Sequence, residues 1–257
     1  MKIKFSKTEI QHVFISILLL GFCFSFKWSG EFSTNSWLNA FISSLVIVSI
    51  ILFTKLAVQK YVANRFECDI TYSSWTGGLA LALLTTVGTL GTIIWAAPGA
   101  VSFKIKHKFR LGKSKNNVHP GPREFAIIAA SGILVYFIFA FIGKLFFVEN
   151  SIFFEKLLFI GSYLAIFNLI PFVHSPFKTK KQLIPRLDGV WIFFGSRSLW
   201  AISFAFVVLS VIGFIFLDAW ISVLIAIVFA VLFFLLWEYK IEPWTYSSPT
   251  QGWIYKK

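Results

Sequence analysis

The chain alternates between long apolar runs with few or no charges and short basic stretches. Seven apolar runs cover residues 11–29, 37–53, 79–97, 125–148, 154–173, 199–217 and 219–237. Several of them approach twenty residues, which is the helix length needed to cross a hydrocarbon layer about 30 Å thick. Because helices satisfy their backbone groups internally in lipid, the pattern predicts an all-α polytopic membrane protein.

The third run differs from the others in its glycines and in the charges around it. The stretch "WTGGLALALLTTVGTLGTIIWAAPGA" (75–100) carries paired glycines near its start and a Pro-Gly at its end. If this run crossed the membrane, the basic loop at 103–123 would lie outside, against the preference of basic loops for the cytoplasm. If it enters and returns on one side, every basic cluster is cytoplasmic. We therefore predict six spans plus a re-entrant element at 77–100, in a cell-membrane protein with both termini cytoplasmic; a glycine-rich ordinary span is the alternative.

Composition supports a membrane protein and explains the charge without nucleic acid. The chain is 57% hydrophobic, with 32 Phe and 10 Trp, and its formal net charge is +13. Basic residues near a membrane are attracted to anionic headgroups, so the predicted partners are the bilayer and other integral membrane proteins. The proposed headgroup contacts are Lys104, Lys106, Lys108, Arg110, Lys113 and Lys115. Alternation at 103–109 favours a strand or short hairpin, and a soluble acidic partner is the alternative ligand for this loop.

No motif for a cofactor, a metal or a nucleophile is evident from spacing. None of the four histidines has another three or four residues away, and Cys23 and Cys68 form no metal motif. We therefore predict no cofactor. A metal site built from His174, Asp188 and Cys68 is an alternative.

Three stretches, in this order, resemble motifs of one enzyme family. They are "KYVANRFEC" (60–68), "WAAPGAVSF" (95–103), and "FNLIP" (167–171) followed by "RLDGVWIF" (186–193). Together they resemble the site-2 protease family of intramembrane zinc metalloproteases, and its archaeal members most closely. The resemblance covers about residues 37–202, which we take as a core between an N-terminal part (1–36) and a C-terminal part (203–257).

The resemblance also shows what this chain lacks. It places the first zinc histidine of the family on Lys55, the general-base glutamate on Leu56 and the second histidine on Gln59. Shifting the frame by one residue supplies neither histidine nor glutamate. The third family ligand, the aspartate of L-D-G, is present as Asp188, and the asparagine of N-L-x-P as Asn168. The resemblance therefore implies a degenerate active site that binds no metal and has no catalytic residues.

These residues lead to one structural expectation and three functional ones. A buried Asp188 without a metal needs a counter-charge, so we expect Lys55 to pair with it and Gln59 to donate a further hydrogen bond. The alternative is that Lys55 extends to the membrane interface and Asp188 faces water. The predicted function is a proteolytically inactive membrane protein that binds other transmembrane segments in a chaperone, assembly or regulatory role. The alternatives are an accessory subunit of a larger membrane complex and, less favoured, an active metalloprotease with displaced ligands.

Overall fold

The structure is a computed structural model that describes residues 5–26, 34–105, 121–147, 151–174, 184–185 and 187–240. Its helices are α1 (Lys7–Ser25), α2 (Thr34–Arg65), α3 (Thr76–Gly88), α4 (Pro122–Leu145), α5 (Ile152–Leu169), α6 (Asp188–Gly195), α7 (Arg197–Phe216) and α8 (Ala219–Lys240). Its strands are β1 (Cys68–Ser74), β2 (Gly99–Ile105), β3 (Val173–His174) and β4 (Ile184–Pro185).

Six of the described helices, namely α1, α2, α4, α5, α7 and α8, are long and apolar enough to cross a membrane. They coincide with six of the seven apolar runs, so the predicted helical, polytopic membrane protein is confirmed. The remaining run, 79–97, forms most of α3 and an irregular segment that follows it. Helices α7 and α8 are the least buried of the six, and α8 presents large apolar side chains along its length.

Helix α2 continues well beyond its apolar run. Residues 34–65 form one helix of 32 residues, which is consistent with the absence of Gly or Pro after the run. The face made by Lys55, Gln59 and Lys60 is buried although these residues are polar. One face of the last turns of α2 therefore lies inside the protein, while Tyr61 and Arg65 are exposed. The sequence alone also allowed a helix that emerges into water.

An antiparallel ribbon of two strands interrupts the all-helical pattern. Strand β1 pairs with β2 along seven residues, from Cys68 opposite Ile105 to Ser74 opposite Gly99. Side chains alternate along β1, with Cys68, Ile70, Tyr72 and Ser74 buried, so one face of the ribbon packs on α1 and α2. The strand tendency predicted at 103–109 begins earlier than expected, at Gly99, and β1 was not predicted at all.

Helix α6 starts at Asp188 and packs against α4, α5 and α7. The following residue, Gly189, allows this close approach: a Cβ atom there would lie 2.3 Å from the backbone oxygen of Leu169 at the end of α5. The indole N–H of Trp200 donates to that same oxygen at 2.8 Å. The glycine of the L-D-G triplet thus fits Asp188 tightly against the end of α5.

Candidate functional site

A buried ion pair joins α2 to the first residue of α6. The Nζ atom of Lys55 lies 2.7 Å from Oδ2 of Asp188, and both side chains are 0% exposed. The ion pair expected from the sequence is therefore present, and the alternative, with Lys55 at the interface and Asp188 in water, is excluded.

Three segments far apart in sequence meet at the Asp188 carboxylate. Besides the ammonium of Lys55, Oδ2 accepts a hydrogen bond from Nε2 of Gln59 at 3.2 Å. The other oxygen, Oδ1, accepts from the backbone N–H of Val101 in β2 at 3.3 Å. The carboxylate thus has a cation and two N–H donors around it, which is what a buried anion needs to remain charged.

The ammonium of Lys55 is surrounded by aromatic rings. It lies 5.3 Å from the ring centroid of Tyr136 on α4 and 5.7 Å from that of Tyr72 on β1, distances at which a cation is attracted to the ring face. Within the described part of the chain, Oε1 of Gln59 and the hydroxyl of Tyr136 have no hydrogen-bond partner. The ion pair, two hydrogen bonds to the carboxylate and the ring contacts therefore hold the site together, while two polar oxygens beside it have no described partner.

Gly132 on α4 provides the space for these side chains. A Cβ atom at this position would lie 2.2 Å from Nε2 of Gln59 and 2.9 Å from Cε of Lys55. Both distances are shorter than van der Waals contact, so any larger residue would displace the lysine and the glutamine. No sequence pattern singled out this glycine, because its role depends on the packing of α4 against α2.

The other two residues of the predicted site lie near it without joining the polar cluster in the described contacts. Leu56 is fully buried in the apolar core. Asn168 is also fully buried, and its Nδ2 donates to the backbone oxygen of Leu164 at 2.9 Å. Its Oδ1 has no hydrogen-bond partner among the described residues.

A second buried ion pair was missed by the sequence analysis. Nζ of Lys60 lies 2.6 Å from Oε2 of Glu9 on α1, and it also lies 4.1 Å from the ring centroid of Phe5. The other oxygen of Glu9 accepts from the backbone N–H of Tyr72 at 3.1 Å. A lone glutamate at the start of an apolar helix was the available signal, but it is also typical of a helix N-terminus facing water.

The two pairs hold the ribbon at one position from opposite sides. Tyr72 and Val101 are directly opposed in the ribbon, and the N–H of each points away from the partner strand to a carboxylate, Glu9 for β1 and Asp188 for β2. Both carboxylates are paired with lysines of α2. The outward oxygen of Val101 is also bound, by the indole N–H of Trp191 at 2.9 Å.

Further contacts between α1 and β1 are polar. The hydroxyls of Ser16 and Tyr72 are 2.9 Å apart, and Nδ1 of His12 lies 2.8 Å from the hydroxyl of Ser74. Burial raises the pKa of Tyr72 above its ordinary value, and the nearby Lys55 ammonium lowers it only in part. The phenol therefore stays neutral.

The predicted headgroup contacts fall largely outside the described residues. Lys104 is described and is exposed at the edge of the ribbon, opposite Asp69 in the register. The remaining five, Lys106, Lys108, Arg110, Lys113 and Lys115, lie outside the described residues, as does the side chain of His174. Within the part that the structure describes, no group of three or more His, Cys, Asp or Glu side chains is placed to hold a metal ion.

The fold and the site define a polytopic helical membrane protein whose interior contains two charged pairs around a short β-ribbon. In comparisons with known proteins, no family model, no curated protein and no solved structure matches the chain.

Proposed function

We propose that the chain is a proteolytically inactive membrane protein with a site-2-protease-like core, which binds other transmembrane segments in a chaperone, assembly or regulatory role. The observation that carries the proposal is the ion pair between Lys55 and Asp188. It lies between the two helices to which the resemblance assigns the zinc ligands, and it ties them together as a metal would.

The arrangement of the motifs in space supports the same proposal. The stretches that resemble the family are distant in sequence, yet Val101 and Asp188 from two of them are joined by a hydrogen bond, and Asp188 also accepts from Gln59, the residue just before the first stretch. Nothing in the sequence pattern requires these three residues to meet.

The chemistry at position 55 argues against catalysis by a metal. A charged lysine has three N–H donors and no free lone pair, so it cannot ligate a metal ion. Its ammonium lies 2.7 Å from the carboxylate oxygen that would otherwise face the ion. A metal would have to displace this cation and then find two further ligands, since a catalytic zinc site needs three protein groups.

Restoring the ligands tests the proposal. Purified wild-type protein, incubated with zinc and desalted, should retain no stoichiometric metal. The variant carrying Lys55→His and Gln59→His should retain about one zinc per chain, and a further Asp188→Ala should abolish it. Stoichiometric zinc in the wild type, lost on Asp188→Ala, would support the active metalloprotease instead. Failure of the double variant to bind zinc would refute the site-2-protease-like placement.

A second experiment separates a binder of varied transmembrane segments from an accessory subunit. The tagged chain is purified from native membranes after mild cross-linking. Sparse and varied membrane proteins are expected for the proposed role. A stable, stoichiometric set of partners would favour the subunit.

A further inference from the structure

The segment between β1 and β2 forms a projection from the ribbon, here called the finger (residues 75–98). Its two ends are fixed beside each other, because Ser74 is paired with Gly99 and the N–H of Trp75 donates to the oxygen of Pro98 at 3.0 Å. Helix α3 leads away from the ribbon, and the irregular segment that follows it, residues 89–98, leads back. This segment is called the returning segment. The finger therefore begins and ends at the same end of the ribbon.

The surface of the finger is apolar on every side. No residue from 75 to 98 is charged. One side packs on the protein, where Ala82 and Ile94 form a small core with Cys23 of α1. The other side exposes large apolar side chains, namely Leu81, Leu84, Val87, Leu90 and Ile93, at 39–71% of their surface. A helix that is apolar all round belongs in a protein core or in a membrane, and the described protein covers only one side of this one.

Helix α3 is too short to cross the hydrocarbon layer by itself. Helix α3 has 13 residues and is about 20 Å long at 1.5 Å per residue, whereas the hydrocarbon layer is about 30 Å thick. The helix can enter the layer but cannot span it.

A chain that turns inside hydrocarbon must satisfy its backbone groups without water. Two threonine hydroxyls, one in the last turn of α3 and one on the residue after it, do this for the returning segment. Thr89 Oγ1 accepts from the N–H of Ile93 at 3.0 Å, and Thr85 Oγ1 accepts from the N–H of Trp95 at 3.3 Å. The turn itself is closed by the N–H of Gly91, which donates to the oxygen of Thr86 at 2.7 Å.

We infer that the finger enters the hydrocarbon of the bilayer and returns on the same side. The hydroxyls of Thr85 and Thr89 make the turn possible, because they accept hydrogen bonds from backbone N–H groups of the returning segment. This inference is independent of the proposed function, because it rests on the finger alone. The occupant of its exposed face is lipid acyl chain.

Spin labels at single cysteines test the depth of the finger. The full chain, with Cys23 and Cys68 replaced by alanine, is reconstituted in phosphatidylcholine vesicles. Labels are placed at Leu90, at the tip, and at Thr71, on the exposed side of the ribbon. Collision with molecular oxygen, which concentrates in hydrocarbon, should dominate at position 90, and collision with a water-soluble nickel chelate at position 71. Equal chelate collision at both positions would overturn the insertion, and protection of position 90 from both reagents would indicate a protein groove in place of lipid.

Hydroxyl deletions test the second half of the inference. Thr89→Val keeps the shape of the side chain and should reduce the oxygen preference at position 90, and Thr89→Ser should restore it. The matched control is Thr92→Val, whose hydroxyl donates only to the oxygen of Thr89. If the valine variants at 89 and 92 behave alike, or if Thr89→Ser does not restore the oxygen preference, the hydroxyls do not support the turn.

Discussion

Removing either partner of the Lys55–Asp188 pair should destabilise the protein, and by unequal amounts. Lys55→Met keeps most of the length of the side chain and deletes the charge. Asp188→Asn keeps the shape of the carboxylate and replaces one acceptor oxygen by an NH2 donor. Because both groups are fully buried, water cannot replace the lost partner, and breaking such a pair costs about 3–5 kcal/mol of unfolding free energy.

The contacts of each partner set the order of the two effects. After Lys55→Met the carboxylate keeps the N–H groups of Gln59 and Val101, so the cost should lie near the lower end of that range. After Asp188→Asn the new NH2 group faces one of these donors, while the ammonium keeps only the rings of Tyr72 and Tyr136. The asparagine variant should therefore be the less stable of the two.

The double variant isolates the interaction. Each single variant leaves an uncompensated buried charge, and the double variant leaves none, so its cost should be smaller than the sum of the two by about 1–3 kcal/mol. Equilibrium unfolding in mixed detergent micelles, followed by tryptophan fluorescence, gives the three free energies. The control is Lys7→Met, which removes a lysine exposed on α1 and should leave the unfolding free energy unchanged.

Additive costs would refute this reasoning. If the double variant equals the sum of the singles within about 0.5 kcal/mol, the two charges do not stabilise each other. A Lys55→Met variant as stable as the wild type would show that the carboxylate needs no counter-charge.

Two more predictions concern the surroundings of the pair. Gly132→Ala should destabilise by about 1–3 kcal/mol, the cost of overpacking a core, because the new methyl would lie 2.2 Å from Nε2 of Gln59; Gly88→Ala is its control, since nothing lies within 4 Å of a Cβ there. Thermal melts compare the two, and equal effects would contradict the packing argument. The raised pKa of Tyr72 gives stability that is complete below the ordinary tyrosine value of about 10 and is lost as pH rises toward the higher folded value. Tyr72→Phe should therefore lose less stability than the wild type between pH 9 and about 11, and a parallel decline would exclude Tyr72 as the cause.

The helices and one charged contact could be predicted from the sequence. Apolar runs of spanning length locate six helices, because the bilayer fixes their length and composition. The contact of Lys55 with Asp188 followed from a motif order and from the cost of an unpaired buried carboxylate. Both arguments use local sequence together with one strong physical constraint.

The ribbon and the second ion pair could not be predicted in the same way. Residues 68–74 follow a helix without a break signal, and their alternation is meaningful only once β2 is known to lie beside them. Glu9 and Lys60 are 51 positions apart, and each alone fits a solvated helix end. Their contact depends on how α1 packs against α2, which no local pattern determines.

The two lysine–carboxylate pairs, whose carboxylates bind the two edges of the ribbon, fix the register of the ribbon more than they increase the stability of the protein. The cost of removing two charges from water offsets much of the Coulomb attraction in a buried ion pair. Such a pair therefore adds little net stability compared with apolar residues of similar size. Apolar packing between transmembrane helices is weakly directional, since lipid is as apolar as the side chains. A slip of the ribbon by one residue would turn Tyr72 and Val101 to the opposite face, and it would remove their N–H groups from both carboxylates. Two charged contacts on one rung therefore select a single register, and this register places the finger and the Asp188 site relative to α2.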